Sequence, residues 1–90
     1  MILMAGGTML KVELCGRLAD GCGPFVDVVI PQNGCSAAEV LSHTAEQHPV
    51  LAAPLASNRV KACVNETVVP PEASVAPDDL VALFPPVSGG

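Results

Sequence analysis

Two runs of strict side-chain alternation, residues 9–14 and 25–30, bracket a glycine-rich stretch at residues 16–23. A period of two marks a strand that buries one face and wets the other. In the first run Leu10, Val12 and Leu14 point one way, and Lys11 and Glu13 the other. In the second, Val26, Val28 and Ile30 point inward while Asp27 faces water. The short connection favours an antiparallel hairpin with one apolar face.

The next segment supplies a cover for that face. Pro31-Gln32-Asn33-Gly34 breaks the second strand. Ser36-Ala37-Ala38-Glu39 has the spacing of a capping box, with the Ser36 hydroxyl set to accept from the Glu39 amide and the Glu39 carboxylate from the Ser36 amide. Ala37, Val40, Leu41, Thr44 and Ala45 then form the stripe of an amphipathic helix, which Pro49 ends near His48. Residues 50–58 read as a loop anchored by Leu51 and Leu55. Residues 59–64 form a third strand with Val60, Ala62 and Val64 inward, Asn65-Glu66 a turn, and residues 67–69 a short fourth strand. After the proline-rich stretch between Pro70-Pro71 and Pro77-Asp78-Asp79, residues 80–84 form a last strand. Val81 and Leu83 should enter the core, leaving Ala82 and Phe84 on the opposite face. The order predicts an α+β fold of the β-grasp, ubiquitin-like type. Its mixed sheet has about five strands, with one main helix across it and the last strand beside the first. The expected organisation is a tail or extension at residues 1–8, the domain at 9–84 and a C-terminal tail at 85–90.

Composition narrows the function. Ninety residues bury one small core and leave no room for a deep active-site cleft. Phe25 and Phe84 are the sole aromatics, so stacking platforms for single-stranded nucleic acid are missing. A net charge of −5, with only Lys11, Arg17, Arg59 and Lys61 basic, argues against nucleic acid or an anionic membrane and permits a basic protein partner. No apolar run approaches the roughly 20 residues of a membrane span, and residues 1–4 lack a signal peptide's basic leader. A cytoplasmic location is expected. Cys15, Cys22, Cys35 and Cys63 contain no C-x-x-C and are expected as free thiols. His43 and His48, five apart, miss the spacing that puts two ligands on one helix face, and no metal site is expected. Asn65-Glu66-Thr67 spells a glycosylation acceptor, but without secretion it reads as the turn.

The chain stops at Pro85-Pro86-Val87-Ser88-Gly89-Gly90. A packed domain gains nothing from a terminal glycine pair, which loses the most freedom on ordering. Such an end does offer an unhindered α-carboxylate on a thin arm. The proline pair favours an extended start, and six residues reach at most about 20 Å. Glycines can thread a channel too narrow for any side chain. A carboxylate ionised at neutral pH is a poor electrophile until activated, for example as an acyl-adenylate. Gly21-Cys22-Gly23 is no phosphate loop, and no Ser-His-Asp arrangement is suggested. The chain is therefore expected to be a substrate or carrier for an ATP-using partner, with Gly90, and Gly89 before it, as the reacting end.

Residues 64–69, Val-Asn-Glu-Thr-Val-Val, and residues 77–90, ending Phe-Pro-Pro-Val-Ser-Gly-Gly, resemble the small subunit of molybdopterin synthase. The resemblance covers the C-terminal third. The related thiamine sulfur carrier also ends in Gly-Gly but typically lacks the proline pair. The resemblance implies a sulfur carrier that has no complete active site and holds no cofactor tightly. A ubiquitin-activating-type adenylyltransferase and sulfurtransferase would adenylate Gly90 with Mg-ATP and convert it to a thiocarboxylate. The large synthase subunit would then pass the sulfur to cyclic pyranopterin monophosphate, within a heterotetramer. It further implies partner contacts at Phe84, Val68, Arg17 and the tail residues Pro85, Pro86, Val87 and Ser88. Cys15 stands where that family often carries an aromatic. Sulfur carriage for thiamine or another metabolite, and a ubiquitin-like modifier forming isopeptides, are the alternatives.

Overall fold

The computed structural model describes residues 7–56 and 59–85. Strand β1 (Gly7–Leu14) pairs antiparallel with β2 (Phe25–Pro31), from Gly7 opposite Pro31 to Glu13 opposite Phe25. β1 thus begins at Gly7, two residues before the expected domain start at residue 9. Residues 1–6 of the expected extension lie outside the described residues. As the alternation required, Leu10, Val12, Leu14, Val26, Val28 and Ile30 are buried. A 3-10 turn, Gly16–Ala19, opens the connection and buries Leu18.

Helix α1 (Ala37–Gln47) starts at the capping box. Ser36 Oγ accepts from the Glu39 amide at 3.1 Å, and Glu39 Oε1 accepts from the Ser36 amide at 2.8 Å. The hydrogen bonds made by the ionised form hold the Glu39 carboxyl below its usual range. Ala37 and Val40 are buried, and the fully buried Thr44 donates its hydroxyl to the Val40 carbonyl at 2.7 Å. The next two free amides at the helix start donate outside the helix, Ala37 to the Ala73 carbonyl and Ala38 to the Pro71 carbonyl, both at 2.8 Å. These bonds bring two small strands together, β3 (Cys35–Ser36) with β6 (Ser74–Val75). The sequence did not reveal that pair, because two residues show no periodicity.

The segment expected as a loop is instead wound. A 3-10 turn, Pro49–Leu51, leads into a single helical turn, α2 (Ala52–Leu55). Proline is tolerated at both places because first-turn amides have no intrahelical acceptor to lose, and alanine favours helix. Leu51 and Leu55, four apart, anchor it as expected. Ser57 and Asn58 lie outside the described residues.

Strands β4 (Lys61–Val64) and β5 (Thr67–Val69) form a hairpin. Its turn has both central residues at positive φ, Asn65 at 52° and Glu66 at 71°, the two-residue geometry that matches strand twist. β4 begins at Lys61, later than expected, though Val60 still packs against the core. β7 (Val81–Phe84) lies between β1, in parallel, and β4, antiparallel. Leu80, expected in β7, spends its backbone on Asn65 instead. It accepts from the Asn65 amide at 2.7 Å and donates to Asn65 Oδ1 at 3.0 Å. The main sheet order is β2-β1-β7-β4-β5, a five-stranded β-grasp with α1 across one face. Its core is aliphatic throughout, with Leu10, Ile30 and Leu83 its largest fully buried side chains. Among the described residues no helix is long and apolar enough to cross a membrane, and no cluster of three or more metal-ligating side chains forms.

Candidate functional site at the end of the central strand

β7 carries the C-terminus out of the sheet. Val81 and Leu83 are buried, and Phe84 emerges on the face away from α1, 40% exposed. β4 holds the strand to its last residue, with Ala82 opposite Cys63 and Phe84 opposite Lys61, while β1 pairs with it as far as Leu83. The Cys15 amide, just past β1, donates to the Leu83 carbonyl at 3.0 Å. Pro85 is half-buried against Gly16. Gly16 has φ +56°, and a Cβ there would sit 3.1 Å from Pro85 Cγ. Only glycine meets both demands without strain, so Gly16 sets how closely Pro85 packs at the end of β7.

Of the residues expected at the site, Phe84 and Pro85 stand at this exit. Arg17 is exposed in the adjoining 3-10 turn, directly after Gly16. Val68, 61% exposed, shares the open sheet face through its register with Cys63, but lies two strands away from β7. It also borders a groove at the sheet edge with Leu41, Val60 and Pro70. Pro86, Val87, Ser88, Gly89 and Gly90 lie outside the described residues.

The open face is concave. A depression of about 650 Å³ is lined by Met9, Phe25, Cys63, Ala82 and Phe84, with Glu66 and the 77–80 loop at its margin. Met9 and Phe25 are more than half exposed. Lys11 Nζ sits 5.7 Å from the centre of the Phe25 ring, a cation–π contact across the same face. Asn65 fixes the margin. Its Nδ2 donates to Asp79 Oδ1 at 3.1 Å, and Asp79 Oδ2 accepts from the Ala76 amide at 2.8 Å. The sequence reading placed Phe84 on this face but missed Met9 and Phe25. The same alternation carried the signal, since both sit out of phase with the buried residues of their strands.

Two of the four thiols are held back from reactivity. Burial, with Glu13 and Cys63 nearby, pushes the Cys15 thiol up from its ordinary value. Burial and Glu39 do the same to Cys35. Raised thiols stay protonated at neutral pH, and the thiolate is the reactive form. The arrangement is a largely apolar platform, crossed by Lys11 and Glu13 of β1 and margined by Glu66, Asp78 and Asp79, beside the end of β7.

Comparison with known proteins agrees with this architecture. The family profile described as the ThiS family matches residues 12–90. No curated protein sequence matches the chain. Small archaeal modifier protein 1 of Haloferax volcanii superposes with a TM-score of 0.75 at 22% identity, covering 90% of this chain and 100% of its own. The same-named protein of Methanosarcina acetivorans gives 0.69 at 17% identity, over 96% and 100%. A Pyrococcus furiosus protein provisionally described as molybdopterin converting factor subunit 1 gives 0.69 at 19% identity, over 88% and 98%. At these identities the likeness is one of fold.

Proposed function

The chain belongs to the ThiS family, with the fold of its sulfur carriers and of ubiquitin-like small modifiers, and from that premise we propose that it is the sulfur-carrying small subunit of a molybdopterin synthase. Gly90 is the working residue. Its carboxylate attacks the α-phosphate of Mg-ATP on an adenylyltransferase partner, releasing pyrophosphate and forming a glycyl-adenylate. A persulfide's outer sulfur displaces AMP to give an acyl disulfide, and a second thiol attacks the persulfide's inner sulfur, forming a disulfide and releasing the thiocarboxylate. The large subunit then receives the tail and passes the sulfur to cyclic pyranopterin monophosphate. The chain's own contribution is positional. β7 and Gly16 set the origin of the tail, Gly89 and Gly90 keep its end thin, and the open face around Phe84 carries the docking energy. Buried apolar anchors, rather than rim charges, dominate such interfaces.

The observation that carries the pathway is the ending Phe-Pro-Pro-Val-Ser-Gly-Gly, joined to a central strand that presents Phe84 outward. The Pyrococcus furiosus likeness is in keeping with it. The likeness to small archaeal modifier proteins favours isopeptide formation as the second reading. The test is reconstitution. Thiocarboxylated chain mixed with a large synthase subunit and cyclic pyranopterin monophosphate should yield dithiolene product, two carriers being consumed per pterin. Sulfur delivery to a thiazole-forming system instead would place the carrier in thiamine synthesis. Reduction-resistant conjugates on partner lysines would make it a modifier.

A further inference from the structure

The C-terminal half of the free edge of β2 is closed, mainly by side chains from the end of α1. In an antiparallel ladder, successive residues aim their backbone groups alternately at the partner strand and away from it. Val29 spends both of its groups on Gln47. Its N–H donates to Gln47 Oε1 at 2.7 Å, and its carbonyl accepts from Gln47 Nε2 at 2.9 Å. One carboxamide thus makes the two hydrogen bonds that an added strand would make. Two residues earlier, His48 Nε2 donates to the Asp27 carbonyl at 2.8 Å. Two residues later, the Pro31 carbonyl accepts from the Gly34 amide at 2.9 Å, and Pro31 has no N–H to offer. From the Asp27 carbonyl through Pro31, every outward backbone group has a partner within the chain. The opposite edge is blunt for another reason. β5 has three residues, and Pro70 follows it directly.

We infer that Gln47, assisted by His48, is an edge guard: its carboxamide closes β2 against strand addition by a second copy of this chain, and confines docking to the open face. β2 needs such a guard. It is seven residues long, alternates cleanly, and exposes Phe25 and Val29 beside the edge. A strand of that kind is a template for pairing with its own copy, and natural proteins cover or charge such edges. Two copies joined β2 to β2 would form one continuous sheet. The inference holds whichever acceptor takes sulfur from Gly90.

The test uses the full chain, with light scattering after size exclusion over a wide concentration range and residue-resolved amide exchange. Gln47→Met keeps the length of the side chain and removes both hydrogen bonds. Gln47→Ser, too short to reach β2, is the companion in case Gln47→Met fails to fold. The wild type should stay monomeric, with slow exchange at Val29 that does not depend on concentration. In the variants, Val29 exchange in dilute solution should rise about fivefold or more, the loss of roughly one hydrogen bond. Concentrating them should drive the mass towards a dimer and slow Val29 again. A folded variant that stays monomeric when concentrated overturns the inference, whatever its exchange at Val29. So does a wild-type chain whose mass and Val29 protection both rise with concentration.

Discussion

Phe84 and Glu66 show what single residues contribute. Phe84 could have been read as core from its hydrophobicity alone, yet the alternation of β7 commits Val81 and Leu83 inward and leaves the ring outside. Phe84→Ala should weaken binding to the large subunit or the activating enzyme by about 1–3 kcal/mol, the worth of one buried aromatic anchor. Titration calorimetry checks this, and unchanged affinity for both partners would refute the docking role. Glu66 stands at φ 71°, in the second central position of a turn that favours Asn-Gly. A side chain there costs about 1–2 kcal/mol, and glycine returns part of that as chain entropy in the unfolded state. Glu66→Gly should therefore stabilise the domain by about 0.5–1 kcal/mol in denaturant melts, whereas a loss of stability would show the turn to be unstrained. Gly16 was hidden in the sequence, because its need for glycine comes from Pro85, a residue far along the chain that packs against it.

At the scale of elements, strands and helix were legible wherever a residue's environment repeats with a fixed period. The hairpin β1–β2, helix α1 with its capping box, and the outward face of β7 all follow from that rule. What escaped was set by tertiary partners. β3 and β6 are too short for a pattern and form where the start of α1 needs acceptors for its free amides. The turns at Pro49–Leu51 and Ala52–Leu55 look like loop by proline content, and fold because Leu51 and Leu55 must both reach the core. The clasp of Gln47 on β2 joins residues 18 positions apart, with nothing local to announce it. The capping box makes a pH prediction. Glu39 is held below its ordinary value of 4.5, so its ionised form stabilises the helix start. That contribution is full above 4.5 and is lost as pH falls through the lower folded value. Glu39→Gln keeps a hydrogen-bond acceptor without the charge. The stability gap between wild type and Glu39→Gln should therefore be open at neutral pH and close on acidification through that range. A gap that stays constant would remove the charge from the account.

On the proposed reading, the described domain is a platform that lends its C-terminal end to others. The sheet is filled with aliphatic side chains, its β2 edge is occupied from within between the Asp27 carbonyl and Pro31, and its open face is largely apolar, with Lys11 and Glu13 across it and an acidic margin. The fold and the outward face were readable from strand periodicity. The proposed chemistry rests on the last residues alone, because on that reading the function lies in an end group and not in a pocket. Deleting Gly90, or adding one residue after it, should abolish sulfur transfer while leaving the thermal midpoint unchanged, since the buried core of the described residues closes at Leu83. A midpoint that falls sharply would give the tail a structural role. The most direct measurement is intact-mass spectrometry of the chain after incubation with an adenylyltransferase partner, Mg-ATP, a persulfide source and a thiol reductant. The account predicts a single exchange of oxygen for sulfur, mapped to Gly90 and absent from the chain lacking it. An unchanged mass at Gly90, or sulfur found only on the cysteines, would contradict it.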